Sequence, residues 1–191
     1  MKESQRCAVK QLMSRAITSS QFIKEFEVDI AVNPSALVPL LEIAYNEKNA
    51  SDLDLIMYVG FAFNLFNYDY IDVLSKLLIE DWHYKHEDIV SVFEDLTPPE
   101  VVDILYQTAF KKYKYLACDG DYNSLSQRCL WALRKINTSK ALEKLLECSK
   151  SDDPYIRKEA LMHLEQINSP PSQMHDMKKP KRILRSLFHN K

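Results

Sequence analysis

The chain aligns with itself. Shifted by 31 residues, LSQRCLWALRKIN (125–137) falls on IRKEALMHLEQIN (156–168), pairing Leu125 with Ile156, Cys129 with Ala160, Leu130 with Leu161, Leu133 with Leu164 and Ile136 with Ile167. Every pair is apolar on both sides. A shift of 40 residues sets IVSVFEDLTPPEVVDIL (89–105) on CLWALRKINTSKALEKL (129–145), and a looser one of 30 sets VGFAFNLFN (59–67) on IVSVFEDLT (89–97). The surplus of the longer shift falls in KYKYLACDGDY (112–122), read as a loop insertion between helices. A repeat of about 31 residues restricts the fold severely. One unit has an apolar face it cannot cover alone, and stacked units cover it for each other.

The units read as helices. Apolar residues recur at helical spacing in VVDILYQTAF (101–110), NSLSQRCLWALRKI (123–136), KALEKLLECS (140–149) and PYIRKEALMHLEQI (154–167). Only 2 glycines, Gly60 and Gly120, occur in 191 residues, which argues against Gly-rich phosphate loops, a dinucleotide fingerprint and Gly-based hairpins. Thr97, Thr138 and Asp152 or Asp153 stand where N-caps belong, with Pro98 and Pro154 in the first turn, and Asn33-Pro34 starts an earlier helix in the same way. The spacing predicts helices near 4–18, 20–30, 35–48, 52–66, 69–80, 85–96, 98–113, 122–136, 138–150 and 153–167. The expected fold is all-α: a right-handed α-solenoid of stacked antiparallel helix pairs, about ten helices in one domain over 1–168, followed by a Pro-led basic tail or capping helix over 169–191.

Charge is unevenly placed. Residues 178–191 hold six basic residues (Lys178, Lys179, Lys181, Arg182, Arg185, Lys191) and no acidic one, so the rest carries 19 basic against 27 acidic residues, a net of −8. An acidic body repels the phosphates of DNA or RNA and suits a basic protein partner. The N-terminal stretch MKESQRCAVKQLMSR has no apolar h-region and no window reaches the length of a membrane span, so the expectation is a soluble, cytoplasmic protein. Cys7, Cys118, Cys129 and Cys148 show no CxxC spacing and read as free, buried thiols.

DDPYIRKEALMHLEQI resembles the second helix of a HEAT repeat: an Asp in the turn, a Pro after it, a helical Arg157, then Ala160, Leu161, Leu164 and Ile167. The resemblance is specific over 123–168, fair over 84–110 and loose before 66. The order WHYKHEDIV, LYQTA, a Tyr and Asp loop, then RCLWALRKI also looks like a group of small bacterial HEAT-repeat proteins. Some of these are similar to immunity proteins of polymorphic toxin systems, which implies binding and silencing a toxin domain.

WHYKHED (82–88) is the densest cluster of chemistry. Glu80, His83 and His86, three residues apart, would share one helical face as in Glu-x-x-His di-iron motifs. HEAT-repeat hydroxylases similar to deoxyhypusine hydroxylase hold di-iron between His-Glu pairs from several repeats, and His86-Glu87 is one such pair. The matching positions carry Gln127, Arg128, Lys158 and Glu159, so a second pair is missing and no metal or other cofactor is expected. As a structural corner, Trp82 caps the core, His83 bonds across the turn to a carbonyl, and His86, Glu87 and Asp88 open a helix whose dipole favours carboxylates. As an interface edge, the same groups face a partner.

Trp131 points away from the stripe of Leu125, Cys129, Ala132, Leu133 and Ile136, which suits either an interface anchor or packing on a neighbouring repeat. The inserted loop, with Asp119, Asp121 and Tyr122, resembles the start of a calcium loop but lacks its fifth and twelfth ligands; insertions of this kind carry binding in repeat proteins. Arg128 joins this candidate interface. Tyr58, Phe61, Phe63, Phe66, Tyr68 and Tyr70 suggest core, since no Lys or Arg lies between 49 and 75 to accompany base stacking. In the tail, Ile183, Leu184, Leu187 and Phe188 form an apolar stripe that suits a terminal cap, an anionic membrane surface or, with KKPKR, a nuclear address. The expected function is non-enzymatic binding of a basic protein, most plausibly a toxin domain. A metal-dependent enzyme and a nucleic-acid binder similar to HEAT-like DNA glycosylases are the alternatives.

Overall fold

The computed structural model describes residues 1–117 and 123–168. Cys118, Asp119, Asp121, Tyr122 and the tail from 169, with the roles expected of them, lie outside the described residues. Among those, the fold is all-helical with no strand. The helices are α1 (Glu3–Met13), α2 (Ser19–Glu25), α3 (Val38–Asn46), α4 (Ala50–Ala62), α5 (Ile71–Leu78), α6 (His86–Leu96), α7 (Val102–Ala109), α8 (Lys114–Ala117), α9 (Ser124–Ile136), α10 (Ser139–Cys148) and α11 (Pro154–Asn168). Short 3₁₀ turns, Tyr68–Tyr70 and Pro99–Val101, lead into α5 and α7. No described helix is long and apolar enough to cross a membrane.

α9 organises the second half, packing on α6, α7, α10 and α11. Its buried residues, Leu125, Ser126, Cys129, Leu130, Ala132, Leu133 and Ile136, cover more than one stripe, as a helix enclosed by four others requires. Ser126 Oγ donates to Ala109 O at 2.6 Å, fixing α9 on the end of α7. In the first half α4 packs on α1 and α3, and buried Asp52 receives Arg6 Nε at 2.7 Å and Nη2 at 3.0 Å, which ties α1 to α4. Burial alone would raise the Asp52 carboxyl; hydrogen bonds from Arg6 and the Met1 amine bring it below its usual range. Phe63 stacks on Phe22, Phe66 stands edge-on to Phe61 and Tyr70, and Tyr70 donates to Pro34 O at 2.5 Å, so most of the aromatic run is core.

Helix starts agree with the sequence better than helix ends. Thr138 Oγ1 accepts from Ala141 N at 3.2 Å, and Asp153 Oδ1 accepts from Tyr155 N and Ile156 N at 2.9 and 3.2 Å. Asn33 caps only a turn, accepting from Ser35 N at 3.0 Å, and α3 begins later, at Val38. Thr97 does not open a helix: it closes α6 in the left-handed region at φ 50°. Asn137 closes α9 in the same way at φ 52°, and the two positions coincide under the 40-residue shift. The segment read as a loop insertion contains α8. Cys129 and Cys148 are free and buried, whereas free Cys7 is exposed. Burial pushes both buried thiols up, Cys148 to about 12.

Candidate functional site

Trp82 to Lys85 form an irregular corner between α5 and α6, so Glu80, His83 and His86 do not share a helical face. What the corner does is close the C-terminus of α5, where carbonyls run out of intrahelical partners. Four successive carbonyls are met by side chains. His83 Nε2 lies 2.8 Å from Leu77 O, Tyr113 OH donates to Leu78 O at 3.2 Å, Lys111 Nζ to Ile79 O at 2.9 Å, and His86 Nε2 lies 2.6 Å from Glu80 O.

Both imidazoles are fully used. His83 Nδ1 accepts from Lys85 N at 3.1 Å and His86 Nδ1 lies 2.9 Å from Tyr115 OH, which assigns the Nε2–H tautomer to each ring. His86 stacks between Tyr113 and His83, at centroid distances of 3.7 and 4.4 Å. Burial depresses both imidazoles, His86 to about 3 with the neighbouring His83 adding to the effect, so they sit neutral. Trp82 Nε1 donates to Glu80 Oε2 at 3.0 Å, so the Glu80 carboxylate faces the indole, not a histidine. Among the described residues no three His, Cys, Asp or Glu converge as metal ligands. His86 is fully buried and meets no partner directly; of this cluster, Glu87, Asp88 and Trp82 retain exposed surface.

On the other side of α6 lies a groove of about 390 Å³. α4 contributes Asp54, Met57, Tyr58 and Phe61, and α6 contributes Asp88, Ser91, Val92 and Asp95, the same i, i+3, i+4, i+7 face of each helix. Met13, Gly60, Ala62, Asn64, Phe66, Leu96, Lys85 and Arg128 complete the lining. Cross-ties hold its walls. Lys85, itself buried, pairs with Asp54 and with Asp88 at 3.3 Å. Burial alone would lower the Lys85 amine, but Asp88 and Asp54 raise it above its usual value, so it stays charged. Arg128 meets Glu94 at 3.2 Å and Glu87 at 3.7 Å, and Lys135 reaches Asp95 at 4.0 Å. Burial raises the Glu94 carboxyl, with Arg128 opposing. The lining itself thus carries the acids Asp54, Asp88 and Asp95 against the bases Lys85 and Arg128, an excess of one acid, with Glu87, Glu94 and Lys135 pairing from behind it.

The 40-residue shift places Arg128, Trp131, Ala132 and Lys135 on Asp88, Ser91, Val92 and Asp95, but of these α9 residues only Arg128 lines the groove. Trp131 is half-buried, edge-on to His163 of α11 at 5.6 Å, with the Arg134 guanidinium 5.1 Å from its ring centre. Packing on the neighbouring helix therefore occupies much of this side chain. Of the residues singled out in the sequence, Glu87, Asp88 and Arg128 come together; Trp82 is on the far side of the corner. Lys85, Asp54 and Met57 went unnoticed, and Phe61 and Phe66 were read only as core, because their meeting depends on contacts some 30 residues apart. The recurring i, i+3, i+4, i+7 face was the available signal.

Set against family models, curated proteins and solved structures, the chain matches none of them.

Proposed function

We propose that this chain is a non-enzymatic binding protein, a right-handed solenoid of HEAT-like antiparallel helix pairs whose α4–α6–α9 groove holds a basic protein, in the manner of an immunity-type inhibitor covering a toxin domain. The groove carries the reading: an apolar floor of Met57, Phe61, Phe66 and Val92 beneath a rim with excess acid. The apolar floor supplies contact area, and the acid speeds encounter with a cation-rich partner. A body of −8 extends that field and disfavours nucleic acid.

Capture from cells of the native host tests this, with wild type, Ser91→Arg and Tyr84→Ala compared. Ser91 lines the groove without a role in its ion pairs, whereas exposed Tyr84 lies at the corner. One basic partner is expected with wild type and Tyr84→Ala and is expected to be lost with Ser91→Arg, its association rate falling at least tenfold between 50 mM and 500 mM salt, on the order seen for steered encounters. Retention by Ser91→Arg with loss in Tyr84→Ala moves the interface to the corner. A rate indifferent to salt removes the electrostatic part.

A further inference from the structure

We propose that the groove between α4 and α6 is the docking site of the chain's own C-terminal segment, residues 178–191, held there in cis. This does not depend on what the outside partner is. Three observations converge on this occupant.

The first is charge. The groove lining carries Asp54, Asp88 and Asp95 against Lys85 and Arg128, a net excess of one acid, and the segment carries six basic residues and no acid. The second is pattern. Ile183, Leu184, Leu187 and Phe188 form an apolar stripe at helical spacing opposite Arg182 and Arg185, which suits the apolar floor of the groove. The third is reach. Arg134 of α9 hydrogen-bonds Gln166 near the end of α11, so the chain leaves α11 beside the end of α9. Arg128, which lines the groove, is six residues back along α9, about 9 Å at 1.5 Å per residue. Residues 169–182 span up to about 46 Å when extended, several times that separation. A tether with this slack presents the segment at an effective concentration in the millimolar range, so even weak docking is populated. An outside basic partner then has to displace the segment, which makes it a competitor built into the chain.

Disulfide capture in the full chain tests the proposal. In a Cys7→Ser, Cys118→Ser background, Ser91→Cys in the groove is combined with Leu187→Cys in the tail. Mild oxidation at low protein concentration is expected to give an intramolecular crosslink, seen as a faster monomer band on a non-reducing gel. Its yield is expected to fall at least fivefold in 1 M salt or when Lys181, Arg182 and Arg185 are changed to Glu. Ala62→Cys, at an exposed position lining the groove, is the second trap should Ser91→Cys lower the helical circular dichroism. Ser139→Cys, exposed on α10 and away from the groove, is the control. Absence of the crosslink from both groove traps, equal capture at Ser139→Cys, capture only between two chains, or a yield unmoved by salt and by charge reversal each overturns the proposal. Because none of these readouts involves an outside partner, its failure is separate from failure of the capture experiment above.

Discussion

His86 and His163 are both buried imidazoles, but they are not equally bonded. His86 spans Glu80 O and Tyr115 OH, whereas neither nitrogen of His163 makes a hydrogen bond of good geometry and only Gln166 lies near enough to oppose its depression. Burial lowers each, His86 to about 3 and His163 to about 4, helped by His83 in the first case and Arg134 in the second. His83 is lowered too. A depressed folded-state pKa means that the unfolded chain takes up protons which the folded chain refuses. The stability these groups confer is complete above the unfolded value of about 6.5 and is lost as pH falls towards 4 and then 3. The slope is about 1.4 kcal/mol per pH unit for each imidazole. Urea unfolding at pH 7 and 5 should therefore show a marked drop, and replacing either residue by Leu should flatten it. At pH 7 the two variants should part: His86→Leu strands a carbonyl and costs about 2–4 kcal/mol, while His163→Leu loses at most a weak contact with Gln166 and costs less than about 1 kcal/mol. Equal costs at pH 7 would refute the assigned bonding. The corner itself was legible in WHYKHED, down to His83 on a carbonyl. Tyr113, Lys111 and Tyr115 were not, because they arrive from a different helix pair and leave no local trace.

Helix ends show where a single sequence runs out of signal. Glycine commonly closes a helix in the left-handed region, and with two glycines available this chain uses other residues: Arg15, Glu27, Lys48, Asn64, Thr97 and Asn137, at φ 50° to 60°. A reader of the sequence has no cue to stop, and helices predicted to 18, 30 and 66 end instead at Met13, Glu25 and Ala62. Starts, marked by Thr138 and Asp153, were read correctly because a side-chain cap is a chemical requirement visible in the residue type. The left-handed conformation costs an L-residue about 1–2 kcal/mol, and it is worst tolerated by β-branched side chains. Thr97→Gly relieves it at the expense of some added freedom in the unfolded chain, leaving a net gain of about 0.5–1 kcal/mol. The expected result is a higher urea midpoint with an unchanged slope. Asn137→Gly should gain less, since Asn tolerates this region. A lower midpoint for Thr97→Gly would mean that its side chain holds α6 to α7 in a way its backbone angle does not reveal.

Across the whole molecule, the self-alignment predicts that Leu130 and Leu161 are the same residue in successive units, yet Leu130 is fully buried and Leu161 is 46% exposed. Their partners diverge in step: Leu125 and Ile156 are both fully buried, whereas Leu133 is buried and Leu164 only half so. α11 packs chiefly on α9 and α10. Matching residues under a shift say nothing of how each one is covered, since that depends on what packs beyond it. Before residue 66 the repeat fades, and there the order of packing came only from the structure, through Arg6 on Asp52 and the stacked rings of Phe22 and Phe63. The paired leucines turn this asymmetry into a measurement. Leu130→Ala opens a cavity inside α9's packing and should cost about 2–5 kcal/mol. Leu161→Ala, at a half-open surface, should stay within about 0.5 kcal/mol. The second value also reports on the tail. If residues 178–191 lie in the groove, the cost of Leu161→Ala is small in the full chain; if the tail instead caps the outer face of α11, Leu161 is covered and the cost rises towards that of Leu130→Ala. Chemical denaturation of these two variants in the full-length chain thus tests the register of the repeat and the resting place of the tail together.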